Sequence, residues 1–155
     1  EGLVGGTLST AWPLLAWNNQ KARLEYGGTK KIDGQETYVL KYVPRKGSDV
    51  KISLYFDSNT FRHVRTEYSQ TVSAQMGPTA DATKQGQREL RYELEEQFSD
   101  FKQEGKLTLP HKYTMKLMLE RPGTTYVADW VMELSKFSFN QPLDRTWFDV
   151  NTVAN

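Results

Sequence analysis

The chain of 155 residues contains no cysteine. That absence excludes a disulfide frame, a thiolate metal site, a cysteine nucleophile and a lipid-attachment cysteine. Histidine is almost as scarce, and His63 and His111 fall in separate segments, each read as a rim or strand residue rather than a ligand. Neither sign of charge dominates, since 20 Lys and Arg against 19 Asp and Glu leave a net +1. A nucleic-acid binder needs concentrated basic surface for its phosphate contacts. The pairs Lys30-Lys31 and Arg45-Lys46 have no interleaved stacking aromatics and read as solvated face. No apolar run approaches the roughly twenty residues of a membrane-spanning helix. A glycine-rich phosphate cradle and a G-x-S-x-G elbow are both missing. Without a nucleophile–base pair, a carboxylate pair or a metal cage, the sequence predicts neither catalysis nor a cofactor.

Aromatic residues are plentiful, with eight Tyr, seven Phe and four Trp, and most stand in period-two alternation. The clearest case is Phe98–Leu119, which reads as a strand, a turn at Gly105 and a second strand. There Tyr113, Met115, Leu117 and Leu119 share one face, while Lys112, Thr114, Lys116 and Glu120 take the other, joined by the exception Met118. Such alternation marks an antiparallel strand with one buried and one wet face. The pattern recurs in Leu24/Tyr26, in Tyr38/Leu40/Tyr42 and in Ile52/Leu54/Phe56. It returns in Leu90/Tyr92/Leu94/Phe98, and most strongly in Tyr126/Ala128/Trp130/Met132/Leu134. Turns are expected at Asp33-Gly34, at Asp57–Thr60 and at Arg121–Thr124. Gly27-Gly28 is expected to break the first strand. A bulge near Ser135-Lys136 is expected where Phe137 and Phe139 slip out of phase. Glu93, Glu95 and Glu96 read as a solvated run on or beside the wet face.

One segment is helical in period: Leu8, Ala11, Trp12 and Leu15 form a stripe within Gly2–Asn19, kinked or restarted at Pro13. Ser73–Gln87 loses all periodicity and reads as a long loop inside one domain. The expected architecture over 1–155 is therefore mainly β. Seven or eight antiparallel strands form a strongly curved sheet or incomplete barrel, and the short N-terminal helical segment packs on its concave face. Leu8, Trp12 and Leu15 are then expected to face Leu117, Trp130 and Met132 across a hydrophobic cavity.

Three segments taken in order resemble the bacterial outer-membrane lipoprotein-sorting (LolA/LolB-like) family. They are LYFDSNTFRHVRTEY (Leu54–Tyr68), FSDFKQEGKLTLPH (Phe98–His111) and FSFNQPLDRTWFDV (Phe139–Val150), and they span roughly Val50 to the C-terminus. The resemblance implies an incomplete barrel plugged by helices, a periplasmic or cell-envelope location, and binding of acyl chains or lipoproteins. It also implies that this chain is the C-terminal portion of such a protein, because the family has further strands and a helix before the matching segments. An opening at Glu1 with no signal-peptide layout agrees with a processed piece. Three functions follow as expectations. The first is a non-catalytic protein sheltering a lipid or lipoprotein acyl chain. The second is a ligand-free scaffold whose open strand edge pairs with an envelope partner or with a second copy. The third and weakest is a hydrolase of envelope lipids.

Overall fold

The computed structural model describes residues 22–43, 49–72 and 90–142, together with 144 and 146. Seven strands follow one another: β1 (Arg23–Ile32), β2 (Gln35–Val43), β3 (Lys51–Asp57), β4 (His63–Val72), β5 (Leu90–Glu104), β6 (Leu107–Arg121) and β7 (Thr124–Glu133). Each strand pairs antiparallel with the next, giving one open sheet in the order β1 to β7 that does not close into a barrel. A meander is what short turns between alternating segments dictate, since an antiparallel neighbour needs only a hairpin. The N-terminal helical stripe and the Ser73–Gln87 loop lie outside the described residues.

Local chemistry sets the turns where expected. Asp57 Oδ1 accepts hydrogen bonds from the Asn59 and Thr60 amides at 3.1 and 2.7 Å and from Thr60 Oγ1 at 2.8 Å. Those bonds, led by the one from the Thr60 hydroxyl, hold its carboxyl below the usual carboxylate range. Asp57 is thus a turn-former, as its sequence context suggests. The β5–β6 hairpin turns through Gly105, whose φ of 61° is left-handed.

Three details differ from the sequence reading. Gly27-Gly28 does not end β1. The pairing register slips between Tyr26 and Thr29, so the two glycines bulge and the strand continues to Ile32. Gly28 takes φ 88°, a conformation that costs little only without a Cβ. A second irregularity between Tyr55 and Phe56 of β3 places an extra residue, Val64, on β4. His63 and Arg65 consequently point to opposite faces, although their spacing alone would put them on one. The phase slip after Leu134 is no bulge within a strand, because β7 ends at Glu133. Leu134 then donates its amide to the His111 carbonyl at 2.7 Å, and Phe137 stands edge-on to the His111 ring. His111 is buried there rather than placed on a rim.

Burial falls on both sides of the sheet. On the more polar side, Ile32, Val39 and Tyr55 pack together with Val64 near the β1–β4 end. On the apolar side the centre is covered, with Leu54 at 2% exposure, while β7 is open, with Trp130 at 46% and Met132 at 52%. β7 carries the expected residues on the expected face but does not bury them, because it is the last strand among the described residues. Leu54→Ala is therefore expected to cost about 2–5 kcal/mol, and Trp130→Ala only about 1–2 kcal/mol, as half its surface is already wet. Urea denaturation of the two variants measures the difference. Equal losses would place Trp130 in a closed core.

Candidate functional site

Strand register assembles the apolar face from rows that run across the sheet. One row crosses all seven strands: Tyr26, Leu40 and Leu54, then Thr66 and Glu96, then Met115 and Trp130. Beside it runs Leu24, Tyr42, Ile52, Tyr68, Leu94, Leu117 and Ala128. On its other flank lies a ladder of rings. Phe56 and His63 are 5.1 Å apart between centroids, His63 and Phe98 4.9 Å, and Phe98 and Tyr113 5.6 Å. Tyr113 then pairs with Met132. Strands stand about 4.8 Å apart, so seven of them make an apolar face about 29 Å wide.

Leu117, Trp130 and Met132 thus share one face, on β6 and β7. The other three expected site residues, Leu8, Trp12 and Leu15, lie outside the described residues. The exposed end of the face is aromatic and thioether in character, with Tyr126, Trp130 and Met132 all more than 45% accessible.

The sequence reading missed what sits at the centre of this face. Glu96 is fully buried, as is Thr66 beside it on β4. The Tyr68 hydroxyl, from one flanking row, donates to Glu96 Oε2 at 3.0 Å, and the Tyr113 hydroxyl, from the other, donates to Oε1 at 2.9 Å. A carboxylate in apolar surroundings is tolerated when donors of this kind replace its water. Burial first, and then the charge of Glu96, push the Tyr68 hydroxyl well above the ordinary tyrosine range, so it keeps the proton it donates. The signal was present in the sequence: Glu96 is in phase with Leu94 and Phe98, whereas Glu93 and Glu95 are on the opposite face with Met118 and Lys116.

His63 belongs to the same polar centre. Its Nε2 lies 2.9 Å from the Arg65 carbonyl oxygen and 2.9 Å from Thr66 Oγ1. Burial lowers its pKa from 6.5 to about 4, so the ring is neutral at pH 7. Across the sheet the chemistry is ionic: Arg65 joins Glu67 and Glu95, Lys30 reaches Glu67 at 3.6 Å, and the Tyr55 hydroxyl donates to Glu67. The face around Arg65 forms a cleft of about 530 Å³, in which Arg65 pairs with Glu67 and Glu95 and Arg91 with Glu93. Among the described residues no group of three or more His, Asp or Glu side chains is arranged to hold a metal ion. Comparison with protein-family models, with curated proteins and with solved structures found no match.

Two outcomes follow from this geometry. Tyr113→Phe removes a hydroxyl donor to a buried carboxylate and is expected to destabilise the protein by about 1.5–3 kcal/mol, read from the urea midpoint at pH 7. The His63 effect depends on pH. The unfolded chain binds a proton near pH 6.5 and the folded one only near 4, so its share of stability is whole above 6.5 and lost as pH falls toward 4. That share is up to about 3 kcal/mol. His63→Gln should flatten the stability–pH curve across that interval relative to wild type. Parallel curves for the two proteins would show that His63 is solvated.

Proposed function

We propose that this chain is a non-catalytic protein of the bacterial periplasm or cell envelope, of the lipoprotein-sorting (LolA/LolB-like) kind, that shelters a lipid or lipoprotein acyl chain. The observation that carries the reading is the apolar face, seven strands wide, whose β6–β7 end leaves Tyr126, Trp130 and Met132 in water. Exposed apolar side chains grouped at one end of a sheet face mark a place of contact. Each buried CH₂ is worth about 0.8 kcal/mol, so an acyl chain of about twelve carbons gives about 10 kcal/mol gross. Ordering and association take back much of it, which leaves micromolar affinity. Binding of this kind needs no charged motif, in keeping with a sequence that has none. The three motif segments support the family assignment, and the first two coincide with the β3–β4 and β5–β6 hairpins.

A second reading is a ligand-free scaffold or protein–protein interaction domain of the envelope. The open edges of the sheet favour it, because unpaired strand edges recruit other strands.

A dansyl-labelled fatty acid distinguishes the two. The lipid reading expects saturable binding that quenches tryptophan emission and is competed by unlabelled fatty acid. Trp130→Glu should abolish it, because an unpaired carboxylate would face the acyl chain. Lys116→Ala, on the ionic face, should leave it unchanged. Binding no tighter than to an unrelated soluble protein, in a chain that melts cooperatively, would overturn the lipid reading and leave the scaffold.

A further inference from the structure

The two edges of the sheet are built differently. β1 carries the devices that keep an edge from pairing: the bulge at Gly27-Gly28 and the charged side chains of Arg23, Glu25, Lys30 and Lys31. β7 has no such bulge, and its only charged side chains are Asp129 and Glu133. Its pairing with β6 runs without a register shift from Lys112–Glu133 to Arg121–Thr124, and it contains no proline and no basic residue. Its exposed apolar side chains stand on both faces, Tyr126, Trp130 and Met132 on one and Val127 and Val131 on the other. An edge of that make is a template for another strand.

The sequence of β7 also states which strand fits. In an antiparallel pair that continues both faces of the sheet, a two-fold axis must pass through a residue of β7. With the axis at Ala128, Tyr126 meets Trp130, Thr125 meets Val131 and Thr124 meets Met132, each twice. Asp129 meets Val127, so no carboxylate opposes another, and the small Ala128 faces its own copy at the centre. Moving the axis to Asp129 sets that carboxylate against itself. Moving it to Val131 sets Asp129 against Glu133. Axes at Val127 or Trp130 avoid the clash but shorten the pairing. Ala128 is thus the centre of the longest register free of opposed carboxylates.

We propose that the chain forms a two-fold homodimer by antiparallel β7–β7 pairing centred on Ala128. Two seven-stranded sheets then join into one, and the apolar faces of both copies become continuous across Trp130 and Tyr126. The dimer does not depend on acyl binding, and the two are read separately, one at the face and one at the edge.

The absence of cysteine makes the test direct, because Ala128→Cys introduces the sole thiol of the chain. Directly opposed residues of an antiparallel pair have Cβ atoms about 4.5–5.5 Å apart, near enough for a disulfide after slight adjustment. Sedimentation of the full chain should show twice the monomer mass. Under mild oxidation Ala128→Cys should convert to a covalent dimer as the main species, while Lys31→Cys on the guarded edge should not. Val131→Lys, which installs an edge guard, should return a monomer that still melts cooperatively. A wild-type chain that remains monomeric at all concentrations would overturn the proposal. So would a dimer in which Ala128→Cys cross-links no faster than Lys31→Cys.

Discussion

The buried carboxylate of Glu96 is the constraint on which the rest of this sheet turns. It is fully withdrawn from water, and it is held by hydroxyls from two different strands, Tyr68 on β4 and Tyr113 on β6. Both hydroxyls reach it only if β4, β5 and β6 keep their observed registers. A slip of one residue would turn every side chain of a strand to the other face, withdraw one hydroxyl and leave a charge in apolar surroundings. That penalty is several kcal/mol, larger than the preference of any single apolar pair. The polar centre therefore specifies the register, and the register specifies which residues form the apolar face.

From that register the layout of the apolar face follows. Rows of side chains line up from β1 to β7, and they differ in character along their length. The middle of the face is closed around Leu54, Thr66 and Glu96, with His63 neutral beside them. The β6–β7 end is open. Burial and exposure thus fall on different parts of one surface, which is why substitutions at Trp130 and at Leu54 should have such different consequences. The face behind it carries the ion pairs, with Arg65 between Glu67 and Glu95 beside the buried Tyr55.

Much of this was legible in the residues. Alternation in Tyr113–Leu119 and Tyr126–Met132 gave the strands, their faces and the β-meander, because a half-buried strand imposes a period of two. Asp57, Asp33-Gly34 and Gly105 gave the turns, since their chemistry suits left-handed or capped backbone. The bulges were not legible. Two adjacent glycines signal either a break or a bulge, and only pairing with β2 decides between them. Val64 gives no signal at all, so the turning of His63 onto the apolar face had no trace in the spacing. Glu96 was legible but overridden: it stands in phase with Leu94 and Phe98, yet a run of three glutamates in four residues reads first as solvated. Burial was the least legible property. Periodicity says which way Trp130 and Met132 point, but what lies against them depends on their being at the end of the strand order.

The proposed contact between the apolar face and an acyl chain is tested most directly by native mass spectrometry of the full chain, freshly purified from bacterial cells without delipidation. A population heavier than the polypeptide is expected, whose added mass is released by organic extraction and fragments as a fatty-acylated molecule. A spectrum containing only masses of bare polypeptide, with extracts free of acyl species, would contradict it.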